Sequence, residues 1–210
     1  MPIKVIAFDL WSTLISGSPP DIMEEIAAKL SFDTTQDFWD YCDKHYFNCK
    51  IKPSQMLRDI AKEKGVKTNV EKLTSLWEST WDSIYVYSDT VPALEKIRKK
   101  YKTTLISNSG SEEGKRVLKI FGLAEYFDYI IMSYEVGLAK PDPEIFRLVT
   151  KKFSVKPEEV VYVGDGFQND FLGGKNAGFK TFLIDRRDKH PQFKKEDWYI
   201  ESLDELLDKI

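Results

Sequence analysis

The stretch Ile3-Lys4-Val5-Ile6-Ala7-Phe8-Asp9-Leu10-Trp11-Ser12-Thr13 begins as a buried strand and ends as a polar loop. Residues 3–8 are almost continuously apolar and β-branched, the pattern of a strand covered on both faces in a parallel sheet. The run stops at Asp9, is too short for a secretory signal and carries no cleavage pattern. Outward from it, short apolar runs recur at 104–106, 129–132, 160–163 and 181–184. Between them Leu94, Ile97 and Tyr101, then Val117, Leu118 and Phe121, then Ile145, Phe146 and Val149 fall at the three- and four-residue spacings of helices. Strand and helix in alternation imply an α/β core, a parallel sheet with right-handed crossovers and helices on both faces. Residues 185–197 are charged and weakly periodic. They read as a surface loop before a short strand at 198–200 and a final helix from Leu203.

Residues 16–87 break this alternation. Only helical periodicity is present, in Ile22, Met23, Ile26 and Leu30; Phe38, Cys42, His45 and Cys49; Met56, Leu57, Ile60 and Ala61; and Val70, Leu73, Trp77 and Ile84. Pro19-Pro20, Pro53 and Gly65 punctuate the series. Four amphipathic helices make a small bundle of their own. The expected organisation is therefore an all-helical module at 16–87 inserted into a core built from 1–15 and 88–210.

The 210 residues are enough to bury a sizeable core, and the 31 basic and 34 acidic side chains leave a net charge of −3. Lys and Arg are spread along the chain without a dominant basic block, which argues against a nucleic-acid partner. No apolar run approaches the roughly 18 to 20 residues that span a bilayer, so no membrane association is expected and the protein reads as cytoplasmic. Cys42 and Cys49, seven apart on one predicted helix, would lie about 10 Å apart, too far for a disulfide.

In an open parallel sheet the ligand sits outside the carboxyl ends of the strands, where strand order reverses. Strand one runs into Asp9-Leu10-Trp11-Ser12-Thr13, strand two into Ser107-Asn108-Ser109-Gly110, and strand four into Gly164-Asp165-Gly166-Phe167-Gln168-Asn169-Asp170. The loop after strand three holds Gly137-Leu138-Ala139-Lys140-Pro141-Asp142-Pro143. Carboxylates gathered against their mutual repulsion need a cation, and a hard ion such as Mg²⁺ takes oxygen ligands. A lysine with short hydroxyl and amide donors holds a tetrahedral anion. Together they suit phosphoryl transfer with an Asp nucleophile.

As an ordered set, Asp9-x-x-x-Thr13, Ser107, Lys140 with the following Pro-Asp-Pro, and Gly-Asp165-x-x-x-Asn169-Asp170 resemble the four signature motifs of the haloacid dehalogenase-like hydrolase superfamily. The resemblance spans both flanks of the helical insertion. It implies a Rossmann-like core with a helical cap inserted after strand one. It implies further that Asp9 attacks phosphorus and forms an aspartyl-phosphate, and that Thr13 orients the loop around it. Asp9 and Asp165 would ligate Mg²⁺ with the Trp11 backbone carbonyl, and Asp170 would support the metal through its waters. Ser107 and Asn108 would bind phosphoryl oxygens and Lys140 would neutralise the nucleophile and the transferring group. The implied partner is a small phosphorylated molecule, and the chain is expected to be a monomer or homodimer.

One position departs from the phosphatase pattern. The second Asp, two residues after the nucleophile, protonates the leaving alcohol in most phosphatases of this superfamily, and here that residue is Trp11. Loss of a positioned acid costs about 10² to 10⁴ in rate unless the leaving group is acidic or another group donates the proton. Preference for aryl or acyl phosphates is the resulting expectation, with Trp11 walling the site. An aromatic residue at this place is also found in the 2-haloacid dehalogenase branch, which works without metal. Against that branch stand the acidic fourth motif and Phe146, where dehalogenases place a Tyr six residues beyond the lysine. Phosphatase is thus the favoured reading and dehalogenase the alternative. A weakly active or inactive phospho-ligand or protein-binding member is a third.

Taken singly, Asp9 and Asp165 would be ordinary loop carboxylates, Lys140 a surface lysine and Ser107 a turn former. Their order turns them into a set. His45 falls on the apolar stripe of a cap helix and is expected to be packed or half-exposed and not catalytic. The cap aromatics Phe32, Phe38, Trp39, Tyr41, Tyr46, Phe47, Trp77 and Trp81 could line an apolar pocket, but their helical spacing makes most of them bundle core. Arg58 is the one candidate cap arginine for a substrate carboxylate. The group Glu112, Glu113, Lys115 and Arg116 reads as the solvated first turns of a helix.

Overall fold

Strand β1 (Val5–Phe8) has all four side chains shut from solvent. Ile6 and Phe8 point into one apolar cluster with Leu94, Ile97 and Leu206, while Val5 and Ala7 point into another with Ile145, Phe146 and Val149. A strand with period two and both faces covered must be apolar at every position, which is why the opening run is continuous. The computed structural model describes residues 2–210. Its other strands are β2 (Lys102–Ser107), β3 (Tyr129–Met132), β4 (Val160–Gly164), β5 (Lys180–Ile184) and β6 (Tyr199–Ile200). They form one parallel sheet in the order β3-β2-β1-β4-β5-β6. The chain steps outward from β1 to β3 and then returns to lay β4 on the other side of β1. That reversal opens a crevice at the carboxyl ends of β1 and β4.

Four helices follow β1: α1 (Pro20–Lys29), α2 (Thr35–His45), α3 (Pro53–Glu63) and α4 (Val70–Ser79). Pro20 and Pro53 occupy first turns, where a missing N–H costs nothing, and Thr34 caps α2 in a reciprocal pair with Asp37. Their apolar stripes close on a core of their own, with Ile26, Leu30, Phe38, Leu57, Ile60 and Leu73 nearly or wholly buried. The chain leaves the sheet and returns to it through paired segments. Ser16 N–H donates to the Tyr85 carbonyl at 2.8 Å and Tyr87 N–H to the Leu14 carbonyl at 3.2 Å.

The sheet is covered by α5 (Thr90–Ile97), α6 (Glu113–Ile120), the single turn α7 (Ser133–Val136), α8 (Pro143–Phe153), α9 (Gly173–Asn176) and α10 (Leu203–Lys209). The fold is thus an α/β Rossmann-like sheet with helices on both faces and an all-helical cap after β1. Three local expectations change. Helix α2 ends at His45, so Cys49 lies beyond it and is exposed, and Ile84 falls past a 3₁₀ turn (Thr80–Ser83) after α4. The loop after β5 is more ordered than its composition suggests, with a 3₁₀ turn at Pro191–Phe193. Among the described residues no helix is long and apolar enough to cross a membrane.

Candidate active site

The crevice at the sheet reversal is organised around one buried ammonium. Lys140 Nζ donates to Asp9 Oδ1 at 2.6 Å, to Asp170 Oδ1 at 2.5 Å and to the Tyr162 hydroxyl at 3.1 Å. The Tyr162 hydroxyl donates in turn to Asp170 Oδ1 at 2.8 Å, and Gly166 N–H donates to Asp170 Oδ2 at 2.8 Å. Thr13 Oγ1 donates to Asp9 Oδ2 at 3.3 Å. Strand ends hold most of these groups. Asp9 directly follows β1, Tyr162 belongs to β4, Asp165 directly follows β4, and Asp170 lies in the π-helical segment (Phe167–Leu172) that comes next. Gly164 is there because any Cβ would run into the Asp170 carboxylate. Lys140 is pinned through its backbone, since Asn108 Oδ1 accepts from Lys140 N–H at 2.8 Å and Asn108 Nδ2 donates to its carbonyl at 3.0 Å.

The electrostatics follow from burial. Asp9 is 5% exposed, and burial together with the neighbouring Asp170 and Asp165 carboxylates pushes its carboxyl up to about 7 against the pull of Lys140. Asp165 is raised in the same way, by burial first and Asp170 next, although Lys189 Nζ sits 3.1 Å from its Oδ2. Burial works against the charge on Lys140, but Asp170 and Asp9 outweigh it and hold the ammonium above its ordinary value. Two ammoniums, the buried Lys140 and the half-exposed Lys189, therefore serve three carboxylates, and the cluster is under-neutralised by one charge.

That imbalance bears on a metal. Asp9, Asp165 and Asp170 each bring a carboxylate oxygen within 4.8 Å of the other two. Three hard oxygen donors around one point, with a shortage of positive charge, match the preferences of Mg²⁺. Asp170 has both oxygens already engaged by Lys140, Tyr162 and Gly166, whereas Asp9 Oδ2 meets only the long Thr13 contact among the described residues.

A cavity of about 910 Å³ opens over this cluster, between sheet and cap. Asp9, Trp11, Asn108, Lys140, Asp165 and Asp170 all line it. The Trp11 indole stands edge-on to Trp81 of the cap, with 6.4 Å between ring centroids. Ser107 is not on the wall: it is fully buried, and its hydroxyl has no hydrogen-bond partner among the described residues. Thr13 is also fully buried and meets the site through Asp9.

Cap and core meet at the rim. Asp43 on α2 accepts from Asn108 Nδ2 at 2.8 Å and from Asn169 Nδ2 at 2.6 Å. Ile51 N–H donates to the Gly110 carbonyl at 2.6 Å, and Trp77 Nε1 to Glu113 Oε1 at 3.1 Å. Glu113 is therefore not a solvated first-turn residue: it lines the cavity, and burial raises its carboxyl. Lys50 pairs with Glu112, and Arg116 lies over the Trp81 ring at 5.5 Å. Arg58 is exposed beside Gln55 and Glu71, away from the cavity. His45 is more exposed than the packed or half-exposed position expected of it, and its ring rests on Tyr41. Phe38, Tyr46 and Trp77 are bundle core as expected, though Trp77 also lines the cavity, together with Trp39, Phe47 and Trp81.

Sequence reasoning missed four participants. Tyr162 is the one polar tip inside an apolar strand. Asp43 continues a stripe of cavity residues on α2, Gln36, Asp40 and Asp43, at helical spacings of four and three. Lys189 returns to the site because Asp185 accepts from Lys189 N–H at 2.9 Å and His190 N–H at 2.7 Å, folding the loop back. Arg186 braces the loop after β1, donating to the Thr13 carbonyl at 3.2 and 3.0 Å and to Asp89 at 2.7 Å. No spacing in the sequence marks the last two.

Known proteins bear on this arrangement. A family model described as haloacid dehalogenase-like hydrolase matches residues 3–178. The chain is 25% identical over 201 residues to a glyceraldehyde 3-phosphate phosphatase of Methanopyrus kandleri, covering 93% of this chain and 83% of that one. Among solved structures, a magnesium complex of a Bacteroides thetaiotaomicron enzyme of the same family superposes with a TM-score of 0.67 at 25% identity, over 93% of this chain and all of the other. A 2-haloacid dehalogenase from Pseudomonas syringae superposes with a TM-score of 0.63 at 22% identity, over 99% and 97% of the two chains. With a family model matched across more than half its length, the chain belongs to the haloacid dehalogenase-like hydrolases and is a hydrolase.

Proposed function

We propose that this chain is a Mg²⁺-dependent phosphatase that hydrolyses a small phosphomonoester through an aspartyl-phosphate on Asp9. The observation that carries the reading is the Asp9, Asp165 and Asp170 cluster, three carboxylates facing two ammoniums, Lys140 on Asp9 and Asp170 and Lys189 on Asp165, a charge balance that leaves room for a divalent cation. Phosphatases among the relatives and a magnesium complex among the structural neighbours support it. A 2-haloacid dehalogenase needs no metal, so an under-neutralised carboxylate cluster would serve no purpose in its site.

Asp9 and Asp165, with the Trp11 carbonyl, would hold Mg²⁺, and Asp170 would support it through its waters. When bound, the ion would offset the negative charge of nucleophile and phosphoryl group. Asp9 is aimed by its two contacts, Lys140 on Oδ1 and Thr13 on Oδ2. Its carboxylate attacks phosphorus, the bond to the leaving oxygen breaks, and water then hydrolyses the acyl phosphate to return Asp9. Asn108 would bind phosphoryl oxygens, and Lys140 would compensate charge on the same atoms; Ser107, buried behind the wall, would not reach them in this arrangement. The cap, taken as residues 16–87 against a core of 1–15 and 88–210, would bound the substrate, with Trp11 as one wall.

The test is phosphate release from p-nitrophenyl phosphate with and without Mg²⁺, beside halide release from a 2-haloacid. Mg²⁺-dependent phosphate release that Asp9→Asn abolishes is the expected result. Metal-independent halide release without phosphatase activity would overturn the reading in favour of the dehalogenase.

A further inference from the structure

The residue two after the nucleophile is an indole, so the proton for a departing alkoxide must come from elsewhere. Among the described residues, the carboxylates lining the cavity are Asp9, Asp40, Asp43, Glu113, Asp165 and Asp170. Asp9, Asp165 and Asp170 belong to the nucleophile and metal cluster, and Glu113 is turned to Trp77 at the rim. Asp40 is tied to Gln36 on its own helix, at 2.8 Å. Asp43 alone reaches from the cap to the ends of both β2 and β4, through Asn108 and Asn169.

We propose that Asp43 is the catalytic acid of this enzyme, carried on the cap and presented to the leaving oxygen in the cavity that Asp9 also lines. The inference rests on the phosphatase reading above. In the first step the Asp9 carboxylate bonds to phosphorus, the phosphorus–oxygen bond to the leaving group breaks, and that oxygen takes the Asp43 proton. The alcohol departs and Asp43 is left as a carboxylate. In the second step Asp43 takes a proton from the attacking water, and the starting state returns.

The surroundings suit both states of the acid. The Asn108 amide is oriented by its two bonds to the Lys140 backbone, so its Nδ2 must face Asp43 and favours the carboxylate. The Asn169 amide is bonded in the site only to Asp43, and a half-turn converts it from donor to acceptor for the protonated form. Burial pushes the Asp43 carboxyl up to about 6, with Asp170 adding to the rise and Asn108, Lys140 and Asn169 opposing it. The charged groups facing it are thus Lys140 and Asp170 from the core, with Asp40 one turn away on its own helix. Because the acid rides on α2, it is in place only while the cap is docked.

The experiment is a leaving-group series, read as kcat/KM in Mg²⁺: p-nitrophenyl, phenyl and benzyl phosphate on wild type, Asp43→Asn, and Asp43→Asn combined with Trp11→Asp. For Asp43→Asn, the benzyl to p-nitrophenyl ratio should fall by about 10² to 10⁴, since nitrophenolate leaves without a proton. Trp11→Asp should restore much of that ratio by returning an acid beside the nucleophile. An equal fall on all three esters, an unchanged profile, or a wild type already unable to cleave the benzyl ester would overturn the assignment while leaving the phosphatase reading intact. Absence of wild-type phosphate release from every ester would overturn both.

Discussion

Nζ of Lys140 lies 2.6 Å from Oδ1 of Asp9, and less than a tenth of either side chain is exposed. Such a pair does not owe its existence to stability. Two charges taken out of water recover their hydration only through each other, and removing one partner leaves the other uncompensated. Lys140→Met should therefore abolish turnover and lower stability by about 3–5 kcal/mol in chelator, as read by denaturant melts. Mg²⁺ should restore part of that stability and none of the turnover, because it returns positive charge without the donor to Asp9.

Metal binding should be visible apart from catalysis. Anything that binds only the folded state raises the melting temperature, by about 2.7 kcal/mol of stability at a hundredfold excess over Kd. Titrating Mg²⁺ into metal-free protein should raise Tm, and Asp165→Asn should remove most of the shift. An equal shift in the variant would mean that the ion binds elsewhere.

Gly164 tests the support of the cluster without touching a reacting group. A Cβ at this position collides with the Asp170 side chain. Gly164→Ala should push Asp170 off Lys140 and Tyr162 and lower kcat at least tenfold, with weaker Mg²⁺ binding. Gly137→Ala, at a helix end with a φ of +70° and open space around it, should cost about 1 kcal/mol of stability without a comparable loss of kcat.

Asp185 gives a pH signature. Burial works to raise its carboxyl, but the N–H groups of Lys189, His190 and Arg187 and the Tyr199 hydroxyl outweigh it and hold the carboxyl below its ordinary value. A depressed folded value contributes stability that is present above the unfolded value, near 4, and is lost as pH falls through the folded one. Asp185→Asn should cost about 1–3 kcal/mol at pH 7, with the gap from wild type closing as pH falls below the ordinary carboxylate value and through the lower folded one. It should also release the loop that carries Lys189 to Asp165, which proteolysis between β5 and β6 would report.

The sheet was legible because burial on both faces leaves a strand no freedom of composition, as in Val5 to Phe8. The cap was legible from the 3.6-residue period of its apolar positions, Phe38 and Cys42 among them. Helix ends were less so: Cys49 and Ile84 continue the period after the backbone has stopped being helical, since apolar packing does not require a helix. The loop after β5 was the least legible, because its order comes from Asp185 gathering N–H groups, and hydrogen-bond acceptance leaves no periodic trace.

By itself the sequence determined which residues stand at the strand ends, because a switch from apolar to polar marks where each buried strand surfaces. Asp9, Lys140, Asp165 and Asp170 are named by that rule and by their order. Tertiary structure alone decided that Tyr162 and Lys189 share their site and that Asp43 reaches it from a helix more than sixty residues before Asn108. These partnerships arise from the closing of cap on core, and Coulombic and hydrogen-bond contacts depend on distance in space, which a linear spacing does not encode.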